Sequence, residues 1–289
     1  MRGALQMLDF EQRLVPEASL DDLVVTDPVR EQLQAMIRIE KARSVLFGLW
    51  GFPEGMRARQ GTTALFWGPT GTGRSRAAEA VGFELGKPLK IVEFPQLLSG
   101  VGAEKSGSAV VRDIFKEARL MDAVLVLDGH SLHTGEQGGG GGGADEAQLL
   151  NLVVQEMTRF PGVVIFMVTT AGSLDVFVSR LDKGLLAGLK FVVEFSKPNQ
   201  KARAALWSKA MPEALPVSEA IDFEGLARES AEFSLVQIGN AVYRAAAVAA
   251  LRPEEGRRKV GMTDLEAAIA DEKRRGESEV DRWVQSQYM

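Results

Sequence analysis

The segment Gly68–Ser75, which reads GPTGTGRS, constrains this chain more than any other stretch. It follows the apolar run Thr63–Trp67, which predicts a strand, and it precedes Arg76–Leu85, which predicts a helix. Glycines in such a turn let backbone N–H groups point inward around an anion, and the helix N-terminus adds positive potential. We therefore expect a strand–loop–helix unit that holds phosphate oxygens. The alternative is a glycine-rich turn that binds no ligand.

The residues expected to surround the phosphates form one continuous segment. Ser75 offers a hydroxyl that would ligate Mg²⁺. Arg74 stands where this loop usually has lysine, and its planar guanidinium is larger than a lysine ammonium, so the exchange is not neutral at a tight site. The full predicted binding set is Gly68, Pro69, Thr70, Gly71, Thr72, Gly73, Arg74, Ser75 and Arg76.

Apolar runs alternate with helical patterns over the first two thirds of the chain. This alternation predicts an α/β fold, a doubly wound parallel sheet of the P-loop NTPase type, with ligands at the carboxyl ends of the strands. The Ala123–Leu127 run is uninterrupted and ends in Asp128, as expected for a strand buried on both faces. The other predicted strands are 63–67, 89–94, 163–169 and 191–195, and the predicted helices are 29–43, 76–85, 110–119 and 148–160.

The pattern changes after Pro198, where helical spacing continues and strand-like runs stop. Helices are expected over 200–211, 223–230, 235–251 and 263–275. We interpret 1–27 as an N-terminal arm, 28–198 as the large α/β subdomain, 199–270 as a small α-helical lid and 271–289 as a charged tail.

Composition narrows the class of protein. The formal net charge is -5, which argues against sequence-independent nucleic-acid binding as the main task. The chain has no cysteine, so disulfides and thiolate zinc sites are excluded. No stretch has the length and apolarity of a membrane span, and the first ten residues lack the apolar core of a secretory signal. An intracellular protein, in the cytoplasm or an organelle matrix and not secreted, is the expectation.

With these segments in order, the chain resembles the AAA+ ATPases over about residues 20–270. The stretches that carry the resemblance are Gly68–Ser75, Leu49–Phe52, Ala123–Asp128, Val163–Thr170, Leu181–Phe195 and Ile221–Phe223. The resemblance implies a site for ATP or ADP with Mg²⁺, in which Ser75 and Asp128 hold the metal. It also implies assembly with protein partners, either other AAA+ subunits or a larger complex.

Several positions depart from the family pattern. Asp128 matches the Walker B aspartate of the family, which is normally followed by a glutamate. This chain has Gly129 at that next position, and glycine cannot orient or deprotonate water. Thr170 replaces the usual asparagine, and Ala187 and Gly188 replace the paired arginines, although Arg180 lies nearby. The loop around Ser99–Gly102 lacks the aromatic residue of a polypeptide-gripping pore, so it is better interpreted as a flexible glycine-rich loop. No residue is therefore assigned a catalytic role; Gly129, Thr170, Ala187 and Gly188 are degenerate positions.

The residues around Asp128 allow other interpretations. Asp128 alone would also suit a capping carboxylate at a turn. His130, His133 and Glu136 lie near it, but their spacing does not place ligands on one helix face, so a separate metal cluster is not favoured.

The sequence thus predicts an ATP-binding, hydrolysis-impaired AAA+ protein that serves as a structural or regulatory subunit of an assembly. Two alternatives stay open. One is an active ATPase that remodels protein complexes, with Arg74 tolerated and a base supplied by Glu136 or a neighbour. The other is a purely structural component with an empty pocket.

Overall fold

A computed structural model describes residues 11–53, 61–93, 107–129, 152–153, 155–169, 188–218 and 220–287. By its internal contacts the chain divides into two compact units. The first comprises residues 1–23 and 27–195, and the second comprises residues 24–26 and 196–289. Among the described residues, no helix combines the length and the apolar character needed to cross a membrane.

The first unit is built on a six-stranded sheet in the order β1-β3-β4-β5-β2-β6. The strands from β2 to β6 pair in parallel, whereas β1 runs antiparallel to β3 at one edge. The predicted α/β class with a mostly parallel sheet is therefore confirmed. The strands are β1 Glu11–Leu14, β2 Thr62–Gly68, β3 Leu89–Glu93, β4 Val124–Asp128, β5 Val163–Thr169 and β6 Phe191–Glu194.

Helices cover both faces of this sheet. The helices with complete bounds are α1 Asp27–Gly48, α2 Arg74–Leu85 and α3 Gly107–Leu120, and residues 152–153 and 155–159 are also helical. One face packs α3 and residues 152–153 and 155–159 around a cluster that includes Phe115, Phe160 and Phe166. The central strands are buried almost throughout, because apolar side chains from both faces are removed from water. This double burial explains why β4 and β5 appear as unbroken apolar runs.

The edge strand β1 lies inside residues 1–27, the predicted N-terminal arm. Gln12 pairs with Ile91 of β3, and the backbone N–H groups of Glu17 and Ala18 donate to Glu79 Oε1 at 3.0 and 3.1 Å. The side chains of Gln12, Arg13 and Leu14 are exposed, so this strand needs no apolar run. The sequence pattern therefore missed this strand.

The second unit is helical, with α4 Gln200–Ala210, α5 Phe223–Glu229, α6 Leu235–Ala250 and α7 Met262–Gln287. Its core surrounds the fully buried Trp207, whose Nε1–H donates to Ser230 Oγ at 2.9 Å. Three of the helices begin at side chains that accept a backbone N–H in the first turn: Asn199, Asp222 and Ser234. Such caps satisfy donors that the helix itself leaves unpaired, and they fix where each helix starts.

Candidate functional site

The loop between β2 and α2 depends on glycine at three positions. Gly68, Gly71 and Gly73 have φ angles of 146°, 77° and 98°, which L-residues with a side chain rarely adopt. Gly68 is constrained further, because a Cβ atom there would lie 2.1 Å from the carbonyl oxygen of Phe195. The path of the loop therefore requires the glycines of the predicted phosphate-binding motif.

The loop delivers the chain directly into a helix N-terminus. Thr72 is buried, and its Oγ1 donates to the carbonyl of Pro69 at 2.8 Å, which closes the turn. Helix α2 begins at Arg74 with Gly73, which has no side chain, at the capping position. The first N–H groups of a helix have no intrahelical acceptor, so those of Arg74, Ser75 and Arg76 suit an anion at this end.

Arg74 is the buried cation of the loop. It is 9% exposed, and Nη2 donates to Thr169 Oγ1 at 2.6 Å. Nη1 finds no hydrogen-bond partner within the part of the chain that the structure describes. Burial lowers the pKa of Arg74 below its ordinary value, and the negative charge of Asp128 partly offsets that shift. A buried guanidinium with a spare donor is chemically suited to an oxyanion.

A cavity of about 230 Å³ lies between the start of α2 and the sheet. Ser75 and Asp128, the two predicted magnesium ligands, both line it. The structure therefore brings together a hydroxyl and a carboxylate from separate elements, which are oxygen donors of the kind that Mg²⁺ prefers. Together with the spare donor of Arg74, these groups fit a nucleotide with its divalent cation.

Gly129 immediately follows the last residue of β4. It is buried, and its N–H donates to the carbonyl of Met167 on β5 at 2.8 Å. The backbone at this position is thus held by the sheet, and the position has no side chain to offer. The effect of this glycine on ATP hydrolysis stays a prediction.

Gly188 lies near the amino end of β2, whereas the phosphate loop follows the carboxyl end of that strand. Its carbonyl accepts from Thr63 Oγ1 at 2.5 Å. Five residues of strand separate the two ends by about 16 Å. A residue at position 188 therefore does not belong to the same site as Arg74.

Several other predicted positions lie outside the described residues: Thr170, Ala187, Arg180, His130, His133, Glu136 and Ser99–Gly102. Within the described ranges, no cluster of three or more histidine or acidic side chains is arranged to hold a metal ion.

Two residues of the site escaped prediction. Thr169 ends the predicted strand β5, but its bond to Arg74 joins residues 95 apart in sequence. Glu93 ends β3 and lines the same cavity as Ser75 and Asp128. The sequence carries a signal for Glu93, because it is a carboxylate near the carboxyl end of the predicted strand 89–94, as Asp128 is next to the run Ala123–Leu127.

Comparison of the sequence with models of known protein families finds a match. The model of the "ATPase family associated with various cellular activities (AAA)" matches residues 64–197, which contain the phosphate loop, Asp128 and Gly129. The chain belongs to the AAA ATPase family. The resemblance inferred from the sequence is thereby confirmed, and the chain is an ATP-binding AAA+ protein.

Individual relatives agree with this placement. The AAA chain is 30% identical over 262 residues to "ATP-dependent zinc metalloprotease FtsH 3" of Symbiobacterium thermophilum, covering 87% of this chain and 38% of the relative. It is 30% identical over 263 residues to "ATP-dependent zinc metalloprotease FtsH 1" of Thermomicrobium roseum, covering 88% and 37%. With "ATP-dependent zinc metalloprotease FtsH" of Caulobacter vibrioides it shares 29% over 285 residues, covering 92% and 42%. The chain thus spans about two fifths of the length of these curated relatives.

Proposed function

We propose that this AAA+ protein binds ATP or ADP with Mg²⁺ but hydrolyses ATP poorly, and that it serves as a structural or regulatory subunit of a protein assembly. The observation that carries the proposal is Gly129, a buried glycine bonded into the sheet where a water-activating carboxylate would stand.

The binding part of the proposal uses groups that the fold holds in place. Backbone N–H groups of Gly68–Ser75 would surround the phosphates, and Arg74 would donate through its spare Nη1. Ser75 and Asp128 would hold the cation through their oxygens. Bound Mg²⁺ would neutralise phosphate charge, which favours binding and hydrolysis alike. These groups account for retention of a nucleotide.

Hydrolysis needs more than retention. A water must be oriented and relieved of a proton as it attacks, and glycine at position 129 has no group for either task. In addition, Ala187 and Gly188 supply no arginine to a neighbouring site, and a cation supplied in trans contributes about 10³–10⁵ in well-studied phosphoryl transfer. The losses affect the chemical step and leave the phosphate loop intact.

The assembly part of the proposal rests on the family, since AAA+ proteins generally act with other subunits. We propose 28–198 as the large subdomain, 199–270 as the lid and 271–289 as a charged extension, with 1–27 preceding them. An intracellular location agrees with the nucleotide site and with the absence of cysteine. We assign no nucleic acid as a partner, because the chain is mildly acidic.

The test measures ATP binding and ATP turnover on the purified chain and on the double variant Arg74→Lys with Gly129→Glu. We expect the unaltered chain to bind ATP and to turn it over well below about 1 s⁻¹, the lower end of ordinary enzyme rates. The double variant should bind and should gain turnover. Turnover at ordinary rates by the unaltered chain would establish the active-ATPase alternative, and no binding at millimolar nucleotide would establish the empty-pocket alternative.

A further inference from the structure

The cavity beside the phosphate loop has a second carboxylate that the family pattern does not account for. Besides Ser75 and Asp128 it is lined by Glu93, the last residue of β3. We infer that Glu93 is a cation-site residue, which shares with Asp128 the task of holding the divalent cation of a bound nucleotide. This inference rests on the proposed nucleotide binding and deepens it.

Strand pairing fixes the relation between the two carboxylates. Glu93 is the register partner of Asp128 in the parallel pair β3–β4, two residues beyond the pair Ile91 and Val126. Paired residues of neighbouring strands project to the same face of a sheet. All four of these residues line the one cavity, so the carboxylates lie side by side beneath the start of α2.

Charge decides what this pair does. Two carboxylates that face a polyphosphate repel it when no cation is present, because like charges at close range disfavour each other. When a divalent cation joins them, the same two charges favour binding. Arg74 does not remove this dependence, because its single positive charge cannot neutralise the two negative side chains, Asp128 and Glu93. The site is therefore expected to bind nucleotide far better with Mg²⁺ than without it.

The position of Glu93 differs from that of the missing glutamate. Gly129 follows Asp128 on the same strand, whereas Glu93 stands beside Asp128 on the adjoining strand. Glu93 has a half-buried side chain, so it is partly withdrawn from bulk solvent, where a charge acts more strongly than on an open surface. We therefore assign Glu93 to cation retention and not to the activation of water.

The experiment measures the dissociation constant of ADP with and without Mg²⁺, by calorimetry on the full chain. The readout is the dissociation constant without Mg²⁺ divided by the dissociation constant with Mg²⁺. This ratio does not depend on hydrolysis. Glu93→Gln keeps the shape and removes the charge, and it should lower the ratio by about tenfold, partly through tighter binding in the absence of Mg²⁺. Glu93→Asp keeps the charge and should retain most of the ratio.

Glu194→Gln is the matched control. Glu194 ends β6 at the same edge of the sheet, pairs with Trp67 next to the phosphate loop, and is exposed outside the cavity. The Glu194→Gln variant loses the same charge as Glu93→Gln. Its ratio of dissociation constants should stay within about twofold of that of the unaltered chain, because solvent screens exposed charges. Mn²⁺ in place of Mg²⁺ gives a second readout, the electron paramagnetic spectrum of the bound ion, which should change in Glu93→Gln and not in Glu194→Gln.

The outcomes separate the two proposals. A ratio that falls in Glu93→Gln alone supports the inference. An unchanged ratio in a variant that still binds ADP overturns the inference and leaves the proposed function standing. Absence of ADP binding by the unaltered chain, with and without Mg²⁺, overturns the proposed function and the inference with it. If Glu93→Gln does not fold, judged by thermal unfolding, Glu93→Ser takes its place with the same expectation.

Discussion

Two arginines, one in each unit, are buried to the same extent but differ in their hydrogen-bond partners. Arg203 of α4 and Arg74 of α2 are each 9% exposed. Arg203 donates through Nε to the carbonyl of Ala227 at 3.0 Å and through Nη1 to the carbonyl of Pro198 at 2.8 Å. Arg74 has one hydroxyl partner, Thr169, and its Nη1 lacks a hydrogen bond within the described residues.

We propose that Arg203 is a structural cation and that Arg74 is a ligand-binding one. Arg203 donates to two buried carbonyls, so its guanidinium contributes to folding. Burial of Arg74 is a cost to the fold, as the lowered pKa of its guanidinium shows. A cost of this kind is offset when an anion binds to the spare donor. Although the two arginines are equally buried, we expect removal of the Arg203 charge to lower stability and removal of the Arg74 charge to lower nucleotide affinity.

The largest effect is expected for Arg203→Met. The substitution keeps much of the apolar volume and leaves two buried carbonyls without donors, so the free energy of unfolding should fall by about 3 kcal/mol. Urea denaturation of the full chain measures this loss. Nucleotide affinity, measured under folding conditions, should be unchanged. A loss below about 0.5 kcal/mol would mean that Arg203 does not hold its unit together.

The next effect concerns the loop that carries Arg74. Gly68→Ala would place a Cβ atom 2.1 Å from the carbonyl oxygen of Phe195, at a φ of 146°. The loop must shift, so we expect a loss of about 2–3 kcal/mol in stability and a loss of nucleotide binding.

Gly86→Ala is the control for backbone strain alone. Gly86 has a φ of 65°, and a Cβ atom added there would meet no atom within 4 Å. That variant should lose only about 1 kcal/mol and should bind nucleotide normally. If both glycine variants behave alike, the contact with Phe195 does not shape the site.

Arg74→Met should lower nucleotide affinity more than stability, the opposite of Arg203→Met. Loss of the charge-assisted bond should weaken ATP binding by about 2 kcal/mol, close to thirtyfold, whereas the free energy of unfolding should change by less than about 1 kcal/mol. Arg74→Lys should keep most of the affinity, because a cation remains. Calorimetry and urea denaturation on the same preparations check both parts. A large loss of stability without a loss of affinity would show that Arg74 is structural, like Arg203.

The smallest effect is expected for Thr169→Val, which removes the hydroxyl bonded to Arg74 Nη2 at 2.6 Å. Both stability and ATP affinity should fall by about 1 kcal/mol, because one buried donor loses its acceptor and the guanidinium loses its orientation. Thr169→Ser keeps the hydroxyl and should restore the affinity. Equal affinities for Thr169→Val and the unaltered chain would show that Arg74 needs no such support.

The sequence predicted strands well where they form unbroken apolar runs. The predicted bounds of β5, 163–169, agree with the structure. Those of β3 and β6 differ by one residue at one end, and those of β2 and β4 differ by one residue at each end. Long apolar runs signal such strands without reference to their neighbours. Helix α1 runs to Gly48, beyond the predicted end at 43, because the apolar residues of its last turn, 45–47, are consecutive and do not follow the helical spacing.

The parts that escaped prediction depend on which strands are neighbours. The edge strand β1 is defined by its pairing with β3, and its own residues, Glu11 to Leu14, are mostly polar and form no apolar face. Glu93 meets Asp128 only because β3 and β4 adjoin, and Thr169 meets Arg74 only because the end of β5 lies beside the loop. Local propensity carries no information on strand order, so these contacts required the fold.

We propose above all that the phosphate loop retains ATP while the position after Asp128 cannot help to cleave it. The most direct measurement is a single-turnover assay with protein in excess of radiolabelled ATP and with Mg²⁺ present. We predict that the bound label is recovered as intact ATP over many minutes, and that Gly129→Glu shortens this time. Conversion of bound ATP to ADP by the unaltered chain within seconds would contradict the account.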